Sequence, residues 1–279
     1  MISDINKIVK KIVKKWKQIM TISEISMIIT GKRAEKYWEI DSFVTLPTEE
    51  SKGYDRVYQI IYQLKWMGVL LSIRNGLYFI PSNEKEKSLH IESIIDKYYW
   101  YIVRSCIVSE VGNEWIIAWE KSLELHMNDR SVPFELLIYT RDTNKRITIW
   151  EGKVIILRSI VSGKKTGSKN MFPFLYKNRE RIEMDGWIFS FLGREASILD
   201  ALTIHNQEYG VNNALILKFI RRYESLLMRD VFWKLVTQKY IRPINRLREI
   251  SKYHGIDTIY HMTLEIIRDE GGGCFLTME

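Results

Sequence analysis

The dipeptide Asn75-Gly76 constrains this chain more than any other feature. It stands between Val69-Leu70-Leu71-Ser72-Ile73-Arg74 and Leu77-Tyr78-Phe79-Ile80. An Asn-Gly pair flanked by apolar, β-branched and aromatic residues predicts a two-residue β-hairpin, because both residues tolerate the positive φ of a type I′ turn. An isolated hairpin is marginal in water, so its apolar face needs a surface to pack on. The preceding sequence offers helices for that purpose.

Ile5, Ile8, Val9, Ile12, Val13, Trp16 and Ile19 recur at three- and four-residue steps, with lysines filling the other faces, which predicts a basic amphipathic helix. Such a helix can lie along a phosphate backbone, or it can simply show a solvated face while packing on a core. Thr21-Ile22-Ser23-Glu24 fits a capping box opening a second helix that Gly31 ends. Residues 32 to 52 are polar, include Pro47 and read mainly as connection. Gly53-Tyr54-Asp55 leads into a third helix with Val57, Ile60, Ile61, Leu64 and Met67 inward and Gly68 as its stop. Helix, helix, helix, hairpin is the order of a winged helix-turn-helix; a small helical subdomain with an accidental hairpin would give the same order.

The net charge is +8 and is unevenly spread: +5 over residues 1–80, −1 over 81–160 and +4 over the rest. Basic ends favour polyanionic partners. Cys106 and Cys274 lie far apart, and neither has a companion at zinc or redox spacing, so reduced thiols are expected. The N-terminal stretch lacks the apolar core of a secretory signal, and no uncharged apolar run reaches bilayer-spanning length, so the sequence reads as cytoplasmic with no membrane partner.

Pro81 to Lys87 is polar with alternating charge and reads as a linker, giving a winged helix over 1–82, an α+β domain over 83–270 and a flexible tail over 271–279. In the second domain, helices are predicted near Ile91–Ser105 and Trp115–His126. A three-strand meander follows from Phe134–Tyr139, Ile147–Trp150 and Val154–Ile160, with a fourth strand at Trp187–Phe191 after Asp185-Gly186. Helices follow from Ala196 onward, with a break at Pro243. The fold class is α+β, with an N-terminal winged helix-turn-helix followed by a mixed sheet and helix domain.

With its apolar residues inward, the third helix turns Lys52, Tyr54, Asp55, Arg56, Gln59 and Gln63 outward. Arg grips guanine at O6 and N7 and Gln pairs with adenine at N6 and N7, so Arg56 and Gln59 are the candidate base readers; Lys52, Tyr54 and Tyr62 suit phosphate, and Gln63 completes the face. Arg74 at the hairpin tip is positioned for phosphate or a minor groove. Each of these residue types also occurs as an ordinary solvated helix residue.

The catalytic patterns are weaker. Gly163 to Ser168 lacks the order of a phosphate-binding Walker loop. Gly167-Ser168 with Glu183 and Asp185 imitates the paired carboxylates of a metal-dependent nucleotidyltransferase, which remains an alternative, although a polar loop entering a hairpin explains the same residues. The five histidines show no metal-ligand spacing, so no metal, cofactor or catalytic residue is expected. Tyr98 to Tyr101 suit core or interface packing better than base stacking. Arg221, Arg222, Arg229, Lys234, Lys239, Arg242, Arg246, Arg248 and Lys252 give the last helices a basic surface, for nucleic acid or simply for solvation.

The hairpin Arg74-Asn75-Gly76-Leu77-Tyr78, the stretch Trp115 to His126, Val132-Pro133 with its strand, and Gly193-Arg194-Glu195-Ala196-Ser197-Ile198-Leu199-Asp200-Ala201-Leu202 together resemble the AbiEi family over roughly residues 54 to 205. These are antitoxins and transcriptional regulators of AbiE-type abortive-infection systems. The resemblance implies a winged helix that binds the double-stranded operator of its own operon, and a second domain that antagonises a cognate nucleotidyltransferase toxin or protects the toxin's RNA substrate. It implies stoichiometric binding and no enzyme activity. The lysine-rich first helix and the insertion before the third helix depart from the family pattern. A module that binds protein and has lost DNA contact is the other alternative.

Overall fold

A computed structural model describes residues 2–14, 18–31, 49–160, 171–203, 213–237 and 240–269, without the side chains of residues 2–4 and 49–55. The fold is mixed α+β, and the chain forms two compact units: Met1–Glu110 with Thr148–Lys153, and Val111–Ile147 with Val154–Glu279. The expected division after residue 82 therefore moves; residues 83–110 belong with the first unit.

In the first unit, helix α1 (Ile2–Lys14) is followed by strand β1 (Ile19–Thr21), helix α2 (Ile22–Thr30), helix α3 (Glu49–Trp66) and strands β2 (Leu71–Arg74) and β3 (Leu77–Phe79). Ile19, predicted to close the first helix, instead opens β1 and pairs with Phe79, giving a three-stranded sheet in the order β1-β3-β2. Helix α2 starts as its sequence dictates. The Thr21 side chain accepts from the Glu24 N–H, Glu24 answers the Thr21 N–H at 2.8 Å, and Gly31 closes the helix in the left-handed region. Helix α3 begins at Glu49, earlier than the sequence suggests, and Gly68 stops the chain beyond it at φ 68°.

Ile12, Ile25, Val57, Leu64 and Leu70 are almost wholly buried in the core between helices and sheet. Each such side chain contributes about 1.5–3 kcal/mol by leaving water. Two expected inward residues are not in it: Val13 is 59% and Met67 44% exposed.

The hairpin forms, but not as a type I′ turn. Only Gly76 takes positive φ, at 76°, and the β2–β3 register slips between Ser72 and Arg74. The bulge absorbs the turn geometry that Asn75 would otherwise have to supply. The Ile22 N–H donates to the Gly76 carbonyl at 2.8 Å, tying the turn to the start of α2.

The predicted linker is built structure. In the short helix α4 (Glu84–Lys87) the Asn83 side chain caps the Glu86 N–H, and Glu86 itself is buried. Its carboxylate accepts from Lys97 Nζ and Tyr98 OH, each at 2.8 Å, and from the Ser82 N–H at 2.9 Å, which holds it down to about pH 2 against its desolvation. Helices α5 (Ile91–Lys97) and α6 (Tyr99–Val111) replace the single predicted helix. Tyr99 and Trp100 are buried edge to face, 5.1 Å apart, so these two aromatics serve packing.

A six-stranded sheet in the order β6-β7-β5-β4-β9-β8 is formed by β4 (Trp115–Ile117), β5 (Glu135–Thr140), β6 (Lys145–Trp150), β7 (Lys153–Ser159), β8 (Glu180–Met184) and β9 (Trp187–Phe191); apart from Thr148–Trp150 of β6 and Lys153 of β7 it belongs to the second unit. The expected meander is absent: β7 lies parallel to β5, and β6 takes the edge. The predicted helix from Trp115 is also corrected. Trp115, Ile116 and Ile117 form the buried strand β4, and helix α7 (Trp119–His126) begins after Ala118, with its first residue Trp119 at φ 58°. Helices α8 (Phe172–Lys177), α9 (Arg194–Ala201), α10 (Asn213–Tyr223), α11 (Arg229–Thr237), α12 (Ile241–Tyr253) and α13 (Asp257–Asp269) complete it. Pro243 sits in the first turn of α12, where its missing N–H has no intrahelical partner to lose, so no break occurs there.

Candidate nucleic-acid interface

Helix α3 separates its residues cleanly. Val57, Ile60, Ile61 and Leu64 are buried; Arg56, Gln59, Tyr62, Lys65 and Trp66 are exposed, and Gln63 is half-buried. At 100° per residue, Gln59, Tyr62 and Trp66 lie along the centre of the outward face and Arg56 on its flank. Among the described residues the side chains of Arg56, Gln59 and Tyr62 have neither hydrogen bond nor ion pair. They form a face of donors and rings that no described residue engages. The side chains of Lys52 and Tyr54 lie outside the described residues.

Tyr62 is 71% and Trp66 86% exposed, four residues apart. Sequence reasoning named Tyr62 but missed Trp66, although its spacing from Tyr62 was the available signal.

Arg74 is not an extended wing tip. It is half-buried, and its Nη1 lies 3.9 Å from the sulfur of Cys106 on α6. Cys106 is buried, and desolvation pushes its thiol up to about 11, so it is an inert neutral thiol.

Glu183 and Asp185 do not share a strand face. Glu183 is exposed on β8, whereas Asp185 occupies the β8–β9 turn at φ 52° with Gly186 at 75°. Met184 pairs with Trp187 across them, so this Asp-Gly pair, not Asn75-Gly76, makes the two-residue turn with both φ values positive. Among the described residues no three His, Cys, Asp or Glu side chains are grouped to hold a metal ion. Residues 163–168 and the tail at 271–279 lie outside the described residues.

The basic residues of the last helices are partly consumed by structure. Arg229 pairs with Asp269 and Glu265, Arg246 donates to the Leu202 carbonyl at 2.6 Å, and Arg248 pairs with Glu249. Arg221, Lys234, Arg242 and Lys252 stay exposed. Lys239 lies outside the described residues.

The second unit holds a buried polar network that sequence reasoning did not find. Asp200 accepts from Tyr139 OH at 2.5 Å and from the Trp119 N–H at 2.9 Å, and it also bonds Tyr240. Burial pushes its carboxyl up to about 6, against these hydrogen bonds. Nearby, Ser122 and Ser197 share a hydrogen bond of 2.7 Å, and His126 Nε2 lies 2.9 Å from the Leu192 carbonyl. Burial draws His126 down to about 4, so its imidazole is neutral and its Nε2–H donates to that carbonyl. Glu195 accepts the Met228 N–H at 2.9 Å just before α11. The motif residues Glu195 and Asp200 thus satisfy backbone donors at the starts of α11 and α7.

No protein-family model matches the chain, and no curated protein matches it. Among solved structures it is similar to the RV2827C protein from Mycobacterium tuberculosis, with a TM-score of 0.53 and 11% identity over 99% of this chain and 83% of that one. At that identity the likeness concerns the mixed α+β fold alone. No described helix is long and apolar enough to cross a membrane.

Proposed function

We propose that this chain is a DNA-binding transcriptional autoregulator and antitoxin of an AbiE-type system, whose first unit acts as a winged helix-turn-helix. The observation that carries the DNA reading is the outward face of α3, where Arg56 and Gln59 are exposed and their side chains have no partner among the described residues, while the opposite face is locked in the core. A helix held this way presents base-reading side chains at low cost in ordering. The hairpin bonded to the start of α2 is the wing, with Arg74 folded back. The partner is duplex DNA upstream of its own operon. The antitoxin part rests on the resemblance of Gly193–Leu202 and its companions to AbiEi proteins; it implies a nucleotidyltransferase toxin, or that toxin's RNA substrate, as second partner, and action by binding without turnover.

Arg56→Ala with Gln59→Ala tests the DNA part. In a shift assay at fixed salt the pair weakens binding to the upstream duplex by roughly tenfold or more and relaxes its sequence preference. Unchanged affinity and preference remove α3 from recognition.

The exposed pair Tyr62 and Trp66 favours one second reading, a protein-binding module without DNA contact, since aromatic side chains are enriched at protein interfaces. That reading predicts no salt-dependent affinity for any duplex.

A further inference from the structure

We infer that the outward stripe of α1 is a phosphate-binding ridge for duplex DNA, separate from the α3 face and blind to sequence. Lys7, Lys10, Lys11 and Lys14 are all exposed. Their spacing of three, one and three residues confines them to about 100° of the helix circumference and spreads them over about 10 Å of its length. Residues 5–14 contain no acid, and among the described residues none of the four lysines has an ion-pair partner. Four like charges this close repel one another, a cost that a polyanion removes.

The other side of the helix narrows the choice of partner. Ile12 is fully buried, and Ile5, Ile8 and Val9 pack on the same core. An amphipathic helix binds a bilayer by sinking its apolar face, which here is already occupied. The occupant must therefore be gripped by charge from outside. Lys11 and Lys14 also line an open cleft with Met27 and Ile28 of α2, so the basic stripe runs along the edge of an apolar cleft between the two helices. A duplex carries one phosphate charge per about 1.7 Å of axis, so a 10 Å ridge faces roughly six of them. The choice of duplex DNA over RNA rests on the proposed function of α3 in the same unit.

The test uses the full chain, the upstream duplex and a scrambled duplex of equal length, titrated by fluorescence anisotropy across salt concentrations. Replacing Lys7, Lys10, Lys11 and Lys14 together by Gln weakens binding to both duplexes by the same factor, roughly tenfold or more. It flattens the slope of log affinity against log salt by about 0.9 for each lysine that meets a phosphate. The ratio between the two duplexes stays as in the wild type, and replacement by Arg keeps the affinity. If the wild type binds the upstream duplex through Arg56 and Gln59 while the Gln variant keeps affinity and slope, the ridge is overturned and the regulator stands. If the wild type has no affinity for duplex DNA, both fall. Lysine-dependent binding to phosphatidylserine vesicles or single-stranded RNA in place of the duplex also overturns the assignment. Loss of affinity in the Arg variant too would mean the substitutions disturb α1 itself, and the ridge is likewise rejected.

Discussion

The two units dispose of their polar groups in opposite ways. Glu86 and Arg74 aside, the residues of interest in the first unit face outward without side-chain partners among the described residues: Lys7, Lys10, Lys11 and Lys14 on α1, and Arg56, Gln59 and Tyr62 on α3. In the second unit Ser122, His126, Ser197 and Asp200 are buried, and each has hydrogen-bond partners. A buried polar group with all its bonds made has a structural explanation. An exposed row of donors opposite a locked apolar face has none, and function is the place to look for one. The segment that most resembles a family, Gly193 to Leu202, falls on the first side of that division: its Glu195 and Asp200 hold helix starts.

If the contrast is right, substitutions in the second unit change stability and those on the first unit's surface change only binding. The largest effect belongs to Asp200→Ala. It strands the Trp119 N–H and the Tyr139 and Tyr240 hydroxyls in a dry interior, where each unpaired donor costs about 1–3 kcal/mol. Chemical denaturation should show a loss of about 3–5 kcal/mol. A loss below 1 kcal/mol on the same order-of-magnitude scale would mean water reaches the site.

Next in size is a pH effect centred on His126. The unfolded imidazole titrates near 6.5 and the buried one near 4. Below 6.5 the unfolded chain takes up a proton that the folded one refuses, so this stabilisation is complete above 6.5 and is lost as pH falls to about 4. The slope is about 1.4 kcal/mol per pH unit. Asp200 works in the opposite sense: its folded carboxyl is raised from 3.8 to about 6, so protonation favours the fold as pH drops through that window. The two partly offset each other. Asp200→Asn should therefore steepen the acid loss of stability between pH 6 and 4, whereas His126→Gln should flatten it. Parallel pH profiles for wild type and both variants would contradict this pairing.

A smaller loss is expected from Glu86→Gln. Two acceptor bonds to Lys97 and Tyr98 weaken when the charge goes, a change of about 1–2 kcal/mol. Because the folded carboxyl sits near 2 and the free one near 4.5, the wild-type advantage is present above 4.5 and fades as pH falls toward 2. A variant that matched the wild type at pH 7 would return residues 81–87 to the status of a linker. The smallest effect is at the exposed aromatics. Tyr62→Ser with Trp66→Ser should leave stability within about 0.5 kcal/mol, because neither ring is buried. A larger loss, read as a lower melting temperature, would show that something in the chain covers them.

What the sequence made legible was local. The Thr21–Glu24 box, the Gly31 stop and the inward face of α3 follow from residues a few positions apart, and all three are present. Glu86 was missed because charge alternation reads as solvation when the partners, Lys97 and Tyr98, are eleven and twelve residues away. Trp115 to Ile117 were misread because a strand buried on both sides has no alternation to distinguish it from a helix. The order β6-β7-β5 depends on pairing across the sheet, which no local signal encodes. Arg74 shows the same limit at the level of one side chain: the hairpin is written in Asn75-Gly76, but the turn of its arginine toward Cys106 is a tertiary fact.

The central claim is that the first unit's free surface exists to hold duplex DNA. The most direct measurement is the affinity of the wild-type chain for the duplex upstream of its operon and for a scrambled duplex of equal length, over a range of salt concentrations. The account predicts a steep fall of both affinities with salt, with the upstream duplex bound more tightly by roughly a thousandfold. Equal affinities for the two duplexes, or affinities indifferent to salt, would contradict it.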